Sequence, residues 1–368
     1  MTMLDDPGPR NLIRELESPD LFRPPATDSG TMPNLRFSFS DAHNRRTDGG
    51  WAREVTQREL PIATDLAGVN MRLYPGGVRE LHWHKEAEWG YLLGGSARLT
   101  AVDEHGQNFV GDVDVGDVWL FPAGIPHSIQ GLSDGCEFLL VFDNGSFSEN
   151  ETFLLTDCLS HIPLPVLARN FGVAESELDD LPPEGLWIFA ADVPGPLGAD
   201  RVANPQGVLP DSHFVHRLLQ QEPIDTGAGT ARILDSSNFP VSPTIAAALV
   251  EVSPGAMREL HWHPNADEWQ YFIEGSARMT VFDSPGKSRT FDYLPGDVGY
   301  VPFGTGHYVE NTGNTTLRFL EMFRSDRFAD VSMTQWLALT PSQLVADHLH
   351  LSPAAIAKLN KEKRPVVS

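Results

Sequence analysis

Residues 79–89 read RELHWHKEAEW, and residues 258–269 read RELHWHPNADEW. In an extended strand, residues i and i+2 share a face. His82 and His84 therefore point together, as do His261 and His263, while Trp83 and Trp262 point away. The next acid lies four residues on in the first copy (Glu88) and five on in the second (Glu268). Those spacings have opposite parity, so a turn must intervene and present each glutamate from a neighbouring strand. A third histidine follows 39 residues after each glutamate, His127 and His307, behind the proline-containing turns FPAGIPH and VPFGTGH. Three imidazoles and one carboxylate, with positions left for water or substrate, suit a divalent first-row metal. Structural zinc normally fills four positions and often uses thiolate. An isolated His-x-His could be an ordinary surface or core pair, but the same four-residue set recurs at matched spacing. Metal binding at two reactive sites is the reading that follows.

The elements that must position these residues also repeat, with a period of about 180 residues. YPGGVRELHWHKEAEWGYLLGGSARLTAVD (74–103) parallels SPGAMRELHWHPNADEWQYFIEGSARMTVFD (253–283), and GDVWLFPAGIPHSIQ (116–130) parallels GDVGYVPFGTGHYVE (296–310). CLSHIPLPVLARNFGVAESELDDL (158–181) matches WLALTPSQLVADHLHLSPAAIAKL (336–359), with Pro163 and Pro341 in register. So long a period implies two tandem domains rather than a solenoid. Short alternating runs such as ARLTAVD, EFLLVFD and LRFLEMF, punctuated by Gly, Pro and Asp, predict a mainly β fold of barrels or sandwiches. Each domain closes on a short helical pair, PLPVLARNF with AESELDDL and PSQLVADHL with SPAAIAKLN; Ser352 followed by Pro353 makes an N-cap and first-turn pair. The boundaries read as an irregular arm over 1–35, a first domain over 36–184, a Pro/Gly-rich connector over 185–212 and a second domain over 213–368.

The 368 residues carry a formal net charge of −23 and no basic patch, which excludes a nucleic-acid partner. No apolar run is long enough to span a bilayer, and MTMLDDPGPRNLIREL lacks the apolar stretch of a secretory signal. Cys136 and Cys158 are the only cysteines, too few for a disulfide framework or thiolate cluster, so a reducing cytoplasm is the expected location, with export of a mature form as the alternative. Cys136 reads as a small core residue and Cys158 as a helix-packing position. An anionic substrate would be repelled by the global field and would need local arginines. Arg79 and Arg258, three residues before each His-x-His, meet that need.

The strings His-x-His-x(3 or 4)-Glu and Pro-x(3)-His resemble the two motifs of the cupin barrel, and their tandem arrangement resembles a bicupin. More narrowly, RELHWHKEAEW, RELHWHPNADEW and FDNGSFSEN resemble the oxalate decarboxylases, over most of the chain from FSFSDAHNR at 37–45 to about residue 365. The resemblance implies a lyase that splits oxalate to formate and carbon dioxide, with dioxygen as a redox participant. It implies two Mn(2+) ions per chain, one held by His82, His84, Glu88 and His127 and the other by His261, His263, Glu268 and His307. It also implies a homo-oligomer, a trimer or hexamer.

Oxalate has no apolar surface, so affinity must come from a metal and from charge-assisted hydrogen bonds, for which Arg79 and Arg258 are placed; an ion pair with Glu80 or Glu259 is their alternative role. One-electron oxidation releases the first carbon dioxide, and the carbon left behind needs a proton from a placed acid to become formate. Without it, oxidation to a second carbon dioxide with peroxide competes. Aligning LLVFD (139–143) with FLEMF (319–323) sets Val141 against Glu321, so only the second site has a carboxylate on that strand. The first copy has the longer loop GSFSENETF, which resembles a lid whose glutamate, Glu149, donates the proton. Glu149 and Arg79 are therefore the main catalytic candidates, with Glu321 and Arg258 at the second site. Two departures stand out: the lid run is Ser148, Glu149, Asn150, Glu151 where relatives end in serine, and Phe328 stands where a tyrosine is expected. The carboxylate of Glu151 would disfavour closure over an anion or raise the pKa of Glu149. Phe328 favours a more structural second metal. The competing functions are oxalate oxidase or another cupin oxygenase, separated by peroxide against formate, and a storage-type bicupin, which should hold little manganese.

Overall fold

A computed structural model of the chain describes residues 11–368; residues 1–10, where the expected arm begins, lie outside them. The fold is mainly β, with 39% strand and 16% helix. Contacts divide the described residues into an N-terminal unit, residues 42–58 and 64–220, and a C-terminal unit, residues 11–41, 59–63 and 221–368.

In the N-terminal unit the strand Glu88–Val102 lies antiparallel to His127–Phe142 along nearly its whole length. Its first residues also pair with Val118–Phe121 and its last with Asn108–Asp114, so one ribbon serves two faces of a barrel. Gly95 and Gly135 make the corner: both have positive φ, and a Cβ on Gly95 would lie 2.0 Å from the Gly135 carbonyl oxygen. Alternate residues Val69, Met71, Leu99, Ile129, Phe138 and Leu140 are fully buried, each contributing roughly 1.5–3 kcal/mol. Strand Val78–Trp83 pairs Arg79 with Ile129 and His82 with His127, with a bulge between.

In the C-terminal unit the equivalent ribbon is cut by Gly275, at φ 84°. Glu268–Glu274 pairs with Asp297–Val301 and Leu317–Phe323, while Ala277–Asp283 pairs with Lys287–Tyr293 and Gly306–Asn311. Phe272, Met279, Val281, Phe291 and Phe319 form the core between the two sheets. Strand Met257–Trp262 repeats the first copy's bulge between Arg258 and His261.

Several boundaries differ from those read in the sequence. The arm is not irregular throughout: Leu12–Glu17 and Pro19–Phe22 are helical, and Met32 and Leu35 are buried in the C-terminal core. Residues 36–41, grouped with the first domain, belong to the C-terminal unit, because Arg36–Ser38 pairs with Asp297–Gly299. Residues 213–220 belong to the N-terminal unit, where Val215–His216 pairs with Val118–Trp119. These strands have two or three residues, too few for alternation to show. The helical ends also differ: each has an extra leading helix, Leu155–Ser160 and Met333–Leu339, and AESELDDL forms only the 3-10 turn Glu175–Glu177. Ser352 caps Pro353–Ile356 as expected.

Candidate metal centres

Each expected quartet converges. The ligand atoms of His82, His84, Glu88 and His127 lie within 4.8 Å of one another, as do those of His261, His263, Glu268 and His307, and all eight residues are buried. A turn does intervene in each copy, and Glu88 and Glu268 each open the strand after it. The proline turns bring the third histidine in, with the Gly124 N–H donating to the His84 carbonyl at 2.8 Å and Gly304 to His263 at 3.1 Å.

Backbone carbonyls fix how the imidazoles face. His82 Nδ1 lies 2.6 Å from the Glu80 carbonyl, His84 Nδ1 2.8 Å from that of Glu86, and His127 Nδ1 2.8 Å from that of Ile125. In the second set the carbonyls belong to Glu259, Ala329 and Thr305, at 2.7, 2.8 and 3.1 Å. A carbonyl can only accept, so Nδ1 carries the proton and Nε2 turns a lone pair inward. Those lone pairs then face a carboxylate: Glu88 Oε2 lies 3.2 Å from His84 Nε2 and 3.3 Å from His127 Nε2. In the second set His261 Nε2, His263 Nε2, His307 Nε2 and Glu268 Oε2 are all buried without a hydrogen-bond partner. Acceptors pointed at one another in a dry site are costly alone and fit a shared cation.

Protonation favours the same fit. Burial, then the Arg79 charge and the neighbouring imidazoles, holds His82 well below its ordinary value; burial and Arg258 do the same for His261, and burial lowers His127. Burial alone would raise Glu88 and Glu268, yet the flanking imidazoles outweigh it and both carboxyls sit well below the ordinary range. Neutral imidazole with ionised carboxylate is the ligand state a metal requires. The other carboxylate oxygen is held differently in the two copies, by the Trp119 indole N–H at 3.1 Å on Glu88 and by the Gln270 amide at 2.7 Å on Glu268.

Beside the first quartet, Arg79 is 1% exposed and Glu149 is 4% exposed. Arg79 Nη2 lies 3.1 Å from Glu149 Oε2, and Arg79 Nη1 donates to the Trp187 carbonyl at 3.2 Å. Glu149 begins a 3-10 turn capped by Ser148; Glu151, on the same turn, faces solvent. The turn thus buries its first acid and leaves its second outside. Neither arginine pairs with its neighbouring glutamate. Glu80 instead accepts from the Thr156 backbone N–H at 2.8 Å and the Trp187 N–H at 2.7 Å, and Glu259 accepts from the Ser332 hydroxyl at 2.6 Å.

The second site is built otherwise. Arg258 donates through Nε to Glu321 Oε1 at 2.9 Å and through Nη2 to Asp330 Oδ2 at 2.7 Å, with Lys363 on the other oxygen of Asp330. These four residues line a cavity of about 240 Å³ whose walls also include Ile233, Val250 and Phe328. Phe328 packs edge-on to Phe323 and His263. Strand register corrects one alignment. Glu88 pairs with Phe142 and Glu268 with Phe323, so the counterpart of Glu321 is Leu140, not Val141; the apolar character is unchanged. Trp83 stacks on Phe153 and Trp262 packs edge-on to Trp336, both as packing residues. Cys136 is buried, its thiol pushed up to about 12 by burial, and Cys158 is half-buried.

Sequence reading missed Trp187, Asp330, Lys363 and Pro365. Short strands carry two of them in: Ile188–Phe189 pairs with Val78–Arg79 and Val366–Val367 with Met257–Arg258, placing Trp187 and Pro365 at equivalent positions. The paired apolar dipeptides after Trp187 and Pro365 were the available signal.

Comparison with known proteins agrees with this geometry. The sequence matches the Cupin family twice, over residues 37–179 and 216–357. It is 59% identical over 359 residues to oxalate decarboxylase OxdC of Bacillus subtilis (strain 168), covering 98% of this chain and 93% of that protein. It is 43% identical over 367 residues to a probable oxalate decarboxylase of Arthroderma benhamiae, covering 98% and 90%. A structure of the Bacillus subtilis enzyme used to assign the EPR parameters of its Mn(II) centres matches with a TM-score of 0.96, at 59% identity over 98% of this chain and 95% of that one. This chain belongs to the cupin family, and within it to the two-domain oxalate decarboxylases.

Proposed function

We propose that this enzyme cleaves oxalate to formate and carbon dioxide at its N-terminal site, with one manganese ion held by each quartet. The observation that carries the reading is the buried Arg79–Glu149 pair beside a buried, convergent set of four metal-ligating side chains. Manganese is favoured over zinc by a thiolate-free N/O donor set and by the Mn(II) centres of the Bacillus subtilis relative. Bound manganese, with dioxygen as redox participant, supplies the one-electron chemistry that makes the carbon–carbon bond labile.

The chain's own residues do the rest. Arg79 supplies the local positive charge that a protein of net charge −23 otherwise denies a dianion. When oxalate enters, the guanidinium exchanges the Glu149 carboxylate for a substrate carboxylate. Glu149, on a short turn, moves aside, takes up a proton from solvent and then returns as the acid that protonates the carbon, and its closure excludes water. In the second site Arg258 is held by two carboxylates, so that site is the poorer oxalate binder and its metal is chiefly structural. Glu321 and Arg258 act there as a mutual ion pair.

Two free cysteines suit a reducing cytoplasm. Exposed Trp336, Leu339, Leu344 and Leu349 on the last helices suit a homo-oligomer of trimers. The test is Glu149→Gln. Formate production should fall about 10²–10⁴-fold, the range of a placed general acid, while bound manganese stays at the wild-type level. Unchanged formate yield would remove Glu149 from the mechanism.

A further inference from the structure

We infer that Trp187, in the segment between the two repeats, is a positioning residue that latches Glu149 over Arg79 and so steers the reaction toward formate. This rests on the role proposed for Glu149 above. The indole N–H of Trp187 donates to Glu149 Oε2 at 2.9 Å, the same oxygen that faces Arg79. Both contacts fall on Oε2, which leaves Oε1 as the oxygen to carry the transferable proton. In that step the Oε1–H bond breaks, a C–H bond forms on the carbon left by carbon dioxide, the electron withdrawn from oxalate at the outset returns to that carbon, and the Glu149 carboxylate produced keeps the Trp187 indole as its donor while Arg79 serves the substrate.

The latch is itself over-determined. Trp187 is 2% exposed and sits at φ 59°, a conformation costly for a bulky residue and kept only where surroundings enforce it. Its N–H is held by Glu80, its carbonyl by Arg79 and the Glu80 N–H, and the strand Ile188–Phe189 fixes the chain that follows. On the outer face the Arg45 guanidinium lies 3.7 Å from the ring centroid and donates to the Asn150 side chain at 3.3 Å. One indole thus ties the arginine, the acid and the turn that bears the acid. The second copy has Pro365 at this position and no indole, consistent with a site that holds no mobile acid.

The test compares Trp187→Phe, Glu149→Gln and the double variant as manganese-loaded enzyme, with oxalate in air. Phenylalanine keeps a ring beneath Arg45 and removes the N–H together with the rest of the pyrrole ring. A hydrogen bond to a charged group corresponds to about a 10-fold shift at the lower end of its range. Trp187→Phe should raise the peroxide-to-formate ratio about 10-fold and speed amide hydrogen exchange over residues 145–153 by a similar factor, with manganese content unchanged. In the Glu149→Gln background it should add nothing to the product ratio. Wild-type ratio and exchange in Trp187→Phe, or equal effects in both backgrounds, would overturn the latch while leaving the role of Glu149 standing. Wild-type formate from Glu149→Gln would overturn both. If Trp187→Phe does not fold, Arg45→Ala, which removes the exposed outer support, should shift the same two readouts about 3-fold; no shift in either would overturn the latch.

Discussion

Replacing Asp330 with leucine should destabilise the C-terminal unit sharply without touching a metal ligand. Arg258 and the Asp330 side chain are each 1% exposed, and Glu321 is fully buried. Arg258, Lys363, Glu321 and Asp330 sum to zero charge, so losing Asp330 leaves one uncompensated cation in a dry site. Breaking a buried pair by removing one partner costs about 3–5 kcal/mol. Lys363 is 33% exposed and can turn to water, which places the loss near the bottom of that range, about 3 kcal/mol. At roughly 2–4 °C per kcal/mol for a unit of this size, the C-terminal transition should fall by about 6–12 °C. Asp330→Asn, which keeps a hydrogen bond, should cost about half as much. Scanning calorimetry of manganese-saturated protein reads both. A drop below about 2 °C for Asp330→Leu would mean that Arg258 does not depend on its carboxylates, and the argument that it is unavailable to oxalate would fail. At the first site Glu149→Gln, which keeps an acceptor for the equally buried Arg79 and for the Trp187 indole, should cost about as much as Asp330→Asn.

Three further outcomes follow from the same geometry. His82→Ala should abolish formate production more completely than His261→Ala, with folding checked by circular dichroism; equal losses would contradict a dominant N-terminal site. Trp119→Phe removes the N–H that orients Glu88 and should weaken manganese binding at the first site about 10–100-fold, read by titration against the unaltered second site; equal affinity would discard that role for Trp119. In metal-free protein, His82, His127 and His261 stay neutral when folded, so the unfolded chain binds more protons below the ordinary value of 6.5. Their contribution is present above that pH and is lost as pH falls through it toward the folded values. The slope reaches up to about 1.4 kcal/mol per pH unit for each histidine. Urea unfolding of chelated protein at pH 7.5 and 5.5 should show the drop, and a flat profile would contradict it.

The quartets were legible because strand periodicity and parity are local rules, and because each rule was met twice at matched spacing. Arg79 and Arg258 were legible only as neighbours in sequence: three residues is the wrong parity for a shared face, and the bulge between each arginine and its first histidine lets both be buried there. The partners that decide what each arginine does were not legible. Trp187 is 108 residues from Arg79 and Asp330 is 72 from Arg258, and each arrives through a connector with no periodicity of its own. The placement of Arg36–Ser38 against Asp297–Gly299 was hidden likewise, as three residues show no alternation. The alignment of Glu321 slipped by one because sequence similarity weakens after the proline turn, whereas backbone pairing from Glu268 to Phe323 fixes it. Glu151 illustrates the opposite limit: a like-charged neighbour in sequence faces outward while Glu149 faces in.

On the function proposed above, two buried His3Glu sets hold redox-active manganese and the first performs the decarboxylation. The most direct measurement is the product balance of purified, manganese-loaded protein given oxalate in air, with bound metal determined on the same sample. We predict close to one formate per oxalate consumed, little peroxide and two manganese ions per chain, one for each set. Peroxide in place of formate, or protein that consumes oxalate with no bound manganese, would contradict the account.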